Sequence, residues 1–256
     1  MSVELAHTAL PGVGTPLVFL GSLASDRGMW QPQLDELGGP ALAVDLRGHG
    51  GSPAPAGPYT VAELAGDVLA LLDHRAIGTA HLVGLSLGGA VAQWLAAHHP
   101  DRVAALTLFC TAARFGTPAM WAERAELARR EGTASLAASA LTRWFTPGFT
   151  AAHPEIAARC AAMIAGTDDA AYAGCCAALG EWDGRADLAR ITAPTLVVAG
   201  ALDPGTPPGV VAEVAAGIPG AEFVVLDDAG HLPTLQHPRA VSALIARRYG
   251  TAGSTS

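Results

Sequence analysis

Short, unbroken apolar runs recur along the chain at positions 17–20, 41–45, 81–84, 103–109, 195–199 and 223–226, each ending near Gly, Asp or Ser. Apolar runs this short, without polar alternation, are the pattern of strands buried on both faces. Between them, apolar residues recur at helical spacing. Thr60-Val61-Ala62-Glu63 forms a capping box at the head of a helix reaching His74, with Leu64, Val68, Leu71 and Leu72 on one face. Residues 88–98 form a second helical stretch, stopped by Pro100, and residues 238–249 a last one. This alternation predicts a mostly parallel sheet covered by helices on both faces. Residues 4–9 add an antiparallel edge strand.

The alternation breaks between about Arg114 and Arg185, where helical segments follow one another with no strand between them. Thr117-Pro118 reads as an N-cap with proline at the first helical position, and the helix continues to Glu131. Residues 135–145, 154–164 and 168–179 supply further helices. A helical insertion in an α/β sheet is expected to lie as a lid over the strand ends, where such folds bind ligands. The predicted organisation is a core of residues 1–113 and 185–250, a cap of 114–184 and a flexible tail of 251–256.

Half of the 256 residues are hydrophobic and 15% are charged, which excludes a disordered chain. A net charge of −8 without a basic patch excludes nucleic acid as an expected partner. No apolar run reaches the roughly 18 residues of a membrane span, and the first residues lack a basic start and a cleavage site, so a cytoplasmic protein is expected. No sequence feature sets an oligomeric state. All 15 basic residues are arginine. The absence of lysine removes the phosphate-loop lysine, Schiff-base and pyridoxal chemistry, and Ser–Lys dyads. Cys110, Cys160, Cys175 and Cys176 form no CxxC pair and read as reduced structural thiols. Adjacent His98 and His99 diverge on a helix and no HExxH occurs, so no metal site is expected.

The strongest chemical signal is Gly84-Leu85-Ser86-Leu87-Gly88, set directly between a strand and a helix. In that context the turn is so sharp that side chains at its flanking positions collide, and the serine hydroxyl projects at the top of the sheet. A serine nucleophile needs an acid and a histidine. Asp203 follows the 195–199 strand and His231 follows the last core strand, in the order serine, acid, histidine. Asp227 or Asp228 remain alternative acids, at a different strand's end. In this arrangement His231 takes and returns the Ser86 proton while Asp203 orients the ring. The oxyanion donors are expected to be the backbone N–H of Leu87 and that of Leu23 in the loop Gly21-Ser22-Leu23, with Ser22 next.

These features, together with Asp45-Leu46-Arg47-Gly48-His49-Gly50 after a strand, resemble the α/β-hydrolase superfamily over nearly the whole chain. The resemblance implies a mostly parallel eight-stranded sheet with helices on both faces and a helical lid after the sixth strand. It also implies that residues 45–50 are a structural turn, with Arg47 and His49 as scaffold rather than catalysts. The stretch Ser22 to Trp30, the stretch Thr111 to Thr117 with Trp121 and Arg124 beyond it, and Arg143-Trp144-Phe145-Thr146 are similar to the 3-oxoadipate enol-lactonases of aromatic-ring catabolism. Where that family often shows Asn-Ser-Leu-Gly, this chain has Gly21-Ser22-Leu23-Ala24.

The narrower resemblance implies hydrolysis of a small anionic enol-lactone through an acyl-enzyme, with no metal or organic cofactor. The substrate's free carboxylate calls for a local cation in a protein of net negative charge, and Arg114, Arg124 and Arg143 are the lid candidates. Trp121 and Trp144 are expected as pocket walls. A carboxylesterase, another lactonase or a carbon–carbon bond hydrolase keeps the same triad. A hydrolase-fold ligand receptor would need an unactivated serine.

Overall fold

A computed structural model describes residues 2–249. Seven strands form one sheet: β1 (His7–Leu10), β2 (Leu17–Leu20), β3 (Ala41–Val44), β4 (Ala80–Leu85), β5 (Val103–Phe109), β6 (Thr195–Gly200) and β7 (Glu222–Leu226). Their spatial order is β1-β3-β2-β4-β5-β6-β7, with β1 antiparallel to β3 and every other pair parallel. Every residue of β2, β3 and β6 is buried, so both faces of the sheet centre are covered. The edge strand β7 is the most exposed.

The helices are α1 (Gln31–Leu37), α2 (Val61–His74), α3 (Leu87–His98), α4 (Pro118–Glu131), α5 (Ala137–Trp144) and α6 (Pro147–Ala152). They continue as α7 (Pro154–Ala165), α8 (Asp169–Glu181), α9 (Pro208–Gly217), α10 (Pro233–Gln236) and α11 (Pro238–Tyr249). The capping box at Thr60 and Glu63 forms as predicted, and Thr117 caps α4 by accepting from the Met120 N–H. No helix of the described residues is long and apolar enough to cross a membrane.

Two expectations are corrected. The described residues hold seven strands rather than eight, and the helical insertion α4 to α8 follows the fifth strand rather than the sixth. The N-terminal residues give a physical reason. The Val3 N–H donates to the Asp67 carboxylate and the Ala6 N–H to the Ser52 hydroxyl, so these groups are satisfied by side chains instead of a strand partner. Pairing begins only at His7, later than the predicted edge strand. The predicted tail, 251–256, lies outside the described residues.

Candidate active site

β4 ends at Leu85 and α3 opens at Leu87, so Ser86 alone makes the turn, at φ 54° and ψ −112°. A β-carbon on Gly84 would stand 2.5 Å from the Gly88 carbonyl oxygen, and one on Gly88 would stand 2.2 Å from that of Leu20. Close backbone approach therefore dictates both glycines. The Ser86 N–H donates to the Phe109 carbonyl at 3.0 Å, and the Thr111 hydroxyl donates to the Ser86 carbonyl at 2.8 Å. Both bonds tie the turn to the end of β5.

Asp203 and His231, 28 residues apart, meet at that same edge, where Nδ1 of the ring lies 2.7 Å from Oδ2 of the carboxylate. Oδ2 also accepts from the Thr206 hydroxyl at 2.6 Å, while Oδ1 accepts from the N–H groups of Gly205 at 2.8 Å and Thr206 at 3.2 Å. Burial pushes the Asp203 carboxyl up, but the charge and hydrogen bond of His231 and the Thr206 donors outweigh it and hold it at about 2. Asp203 is thus ionised, Nδ1 of His231 is its donor, and Nε2 is the ring atom left to exchange a proton. Asp227 and Asp228 are exposed, which removes them as alternative acids.

Ser86 and His231 line one cavity of about 490 Å³. No hydrogen bond joins the serine hydroxyl to the ring among the described residues. Bonds of this kind commonly close only when substrate arrives. Ser22 and Leu23 line the same cavity. As the first residue of α3, Leu87 has no helical acceptor for its N–H. Neither that group nor the Leu23 N–H donates to another backbone carbonyl among the described residues.

The helices inserted between β5 and β6 supply much of the remaining wall. Trp121, fixed by its indole N–H to the Phe115 carbonyl at 2.7 Å, and Trp144 both line the cavity. The Arg124 guanidinium stands over the rings of Trp121 and Tyr172, at 5.3 and 5.6 Å from their centres, and donates to the Tyr172 hydroxyl. Arg143 is half-buried in the same cavity and makes no side-chain hydrogen bond or ion pair with a described residue. Burial, then the charge of Arg124, lowers its pKa from an ordinary guanidinium value. Arg114 is exposed and does not line the cavity, which corrects its place among the candidates. It stands at the surface near Asp183.

Two neighbours of the acid escape sequence reasoning. Thr206 had a signal, since Asp203-Pro204-Gly205-Thr206 is a turn in which an Asp side chain captures nearby N–H groups. Cys110 is fully buried at φ 44° beyond β5, and its Sγ lies with ligand atoms of Asp203 and His231 inside a 4.8 Å cluster. This is the one grouping of metal-capable side chains found among the described residues. Burial, then the Asp203 charge, pushes its thiol well above the ordinary range, so it packs here as a neutral S–H.

The 3-oxoadipate enol-lactonase 2 of Acinetobacter baylyi is 40% identical to the chain over 226 residues, which cover 88% of this chain and 84% of that protein. The crystal structure of the enol-lactonase from Burkholderia xenovorans superposes with a TM-score of 0.94 at 37% identity, covering 96% of each chain. A thermophilic esterase from Thermogutta terrifontis superposes at 0.90 with 33% identity, covering 96% of this chain and 92% of its own. The pattern of the α/β-hydrolase fold matches residues 15–238. With its serine on a strand-to-helix elbow, an acid–imidazole pair at the same sheet edge and relatives matching over most of its length, the chain belongs to the α/β-hydrolase fold family and is a hydrolase of esters or lactones.

Proposed function

We propose that this enzyme hydrolyses 3-oxoadipate enol-lactone to 3-oxoadipate. The observation that carries the reading is the Arg143 guanidinium, half-buried and without a side-chain partner, opening on the cavity of Ser86 and His231. A cation held there favours a substrate that brings its own carboxylate. The names of the enol-lactonase relatives support the same choice.

The reaction follows from the groups present. Nε2 of His231 takes the Ser86 proton as Oγ bonds to the lactone carbonyl carbon, and the oxyanion rests on the N–H groups of Leu23 and Leu87. The ring C–O bond then breaks, and the enolate accepts the proton from His231 and becomes a ketone. Water, deprotonated by the same imidazole, attacks the acyl carbon and releases the product carboxylate with Ser86 restored. Asp203 stays ionised throughout and stabilises each imidazolium. Arg143 binds the carboxylate remote from the ring, Arg124 adds its charge nearby, and Trp121, Trp144 and Ser22 shape the walls.

The test is the ultraviolet absorbance of the enol-lactone. Purified enzyme should deplete it well above the spontaneous rate, and Ser86→Ala should lower that rate by about 10⁴-fold or more. Turnover of neutral esters with indifference to the carboxylated lactone would replace this substrate with that of a carboxylesterase.

A further inference from the structure

The resemblance casts the Asp45 to Gly50 turn as scaffold, and Arg47 fits that role. Its guanidinium donates to both Asp67 oxygens, at 2.7 and 2.8 Å, and lies over the Tyr59 ring. His49 does something more specific. Its buried ring places Nε2 2.9 Å from the Ala24 nitrogen and Nδ1 2.9 Å from the Arg47 carbonyl oxygen. A backbone N–H only donates and a carbonyl only accepts, so Nε2 is the bare acceptor and Nδ1 carries the proton. The two contacts select one neutral tautomer. Burial lowers the ring's pKa, against smaller raising effects of the Arg47 and Leu46 carbonyls and of Asp45 and Asp26, so the acceptor persists.

Ala24 follows Leu23 and sits at φ 66°, a conformation that L-residues avoid unless their surroundings impose it. The Ser22 carbonyl closes the same turn by accepting the Ser25 N–H at 3.1 Å and the Ser25 hydroxyl at 2.8 Å. The far end of the loop is held by Asp45, which accepts the Arg27 N–H at 2.6 Å. The loop beside Ser86 is therefore fastened at two points to one turn, and at Ala24 the fastening is an imidazole nitrogen.

We propose that His49 is a positioning residue for the oxyanion hole: by accepting the Ala24 N–H it holds the left-handed turn that directs the preceding peptide group, the Leu23 N–H, at the cavity beside Ser86. The inference rests on the reading of Ser86 as nucleophile and is independent of which ester or lactone is the substrate.

The test compares His49→Phe, which keeps a ring and removes the acceptor, with His49→Gln, whose side-chain carbonyl reaches towards the Nε2 position. Readouts are kcat and KM on p-nitrophenyl acetate, the second-order rate of fluorophosphonate labelling at several pH values, and the melting temperature. His49→Phe should lower kcat and the labelling rate by about ten- to hundredfold, with KM within about threefold and the pH midpoint of labelling unchanged. His49→Gln should recover most of both rates. A folded His49→Phe with kcat and labelling within about twofold of the parent overturns the inference, whatever its melting temperature. Should that variant not fold, nitrogen-15 NMR of the unaltered enzyme decides. A ring that stays neutral with its proton on Nδ1 below the ordinary histidine pKa of 6.5 supports the assignment, and an Nε2–H ring or an imidazolium there overturns it. An unaltered enzyme that the fluorophosphonate fails to label sinks the nucleophile reading and this inference with it. Labelling without lactone turnover sinks only the substrate and leaves His49 in place.

Discussion

Among the three lid arginines that the sequence nominates, position in the fold separates what composition leaves equal. Arg124 stands over two aromatic rings with its Nε–H on the Tyr172 hydroxyl, Arg114 faces solvent, and Arg143 alone among them lines the cavity with a guanidinium that makes no hydrogen bond or ion pair with a described residue. Replacing Arg143 with Gln should raise KM for the carboxylated lactone by about ten- to hundredfold and change turnover of a neutral ester by no more than about threefold. Steady-state kinetics on both substrates checks the split, with Arg114→Gln as the silent control. A different residue-scale effect belongs to Asp203. Its carboxyl titrates at about 2 in the native protein against an ordinary 3.8, so it binds a proton less readily folded than unfolded. The stability it contributes, on the order of 2 kcal/mol, is complete above the unfolded pKa and is lost as pH falls from about 4 through about 2. In denaturant titrations, the gap between the parent enzyme and Asp203→Asn should therefore shrink steadily below pH 4. A gap that widens towards acid would refute the assignment.

At the scale of elements, what could be read from sequence was whatever a steric or burial constraint writes locally. The elbow is legible because no side chain fits at Gly84 or Gly88, and β2, β3 and β6 because every one of their positions is buried. The helices α1 and α9 were not legible. Pro208–Gly217 follows a proline-rich turn and carries Gly at its second and last positions, so its local signals are those of a loop. Its helical state comes from packing against β6, and that of α1 from packing against α11. The same contrast predicts opposite signs for two glycine substitutions. Gly88→Ala drives a β-carbon into the Leu20 carbonyl and should cost about 3 kcal/mol or more, or prevent folding. Gly66→Ala, inside α2 with nothing within 4 Å of the new methyl, should stabilise by about 0.5–1 kcal/mol. Thermal and urea unfolding of both variants measures the difference.

For the molecule as a whole, the helical insertion between β5 and β6 is visible in sequence as a break in strand–helix alternation, but its attachment is not, because each anchor joins residues far apart in the chain. The Tyr59 N–H donates to the Gly174 carbonyl and the Asp168 N–H to that of Gly48, both at 3.3 Å. The Trp182 indole reaches the Ala112 carbonyl at 3.1 Å, and the loop bearing His231 donates to the carbonyls of Arg143 at 3.3 Å and Trp144 at 3.0 Å. A helical insertion bonded to the rest of the chain at residues 143–144, 168, 174 and 182 is not a hinged flap, so it should unfold together with the sheet. The cysteines report this directly, since Cys160 lies in α7, Cys175 and Cys176 lie in α8, Cys110 follows β5, and all four are buried free thiols. Burial pushes the thiols of Cys160 and Cys176 up to about 12 and those of Cys110 and Cys175 up as well, which suppresses reaction in the folded state. Pulsed alkylation across a urea transition, read by mass spectrometry for each site, should give one midpoint for all four. Thiols of α7 and α8 that react at lower urea than Cys110 would show instead that the inserted helices open as a separate unit, and the bonds at Gly48, Ala112 and Arg143 would then contribute little to holding them against the sheet.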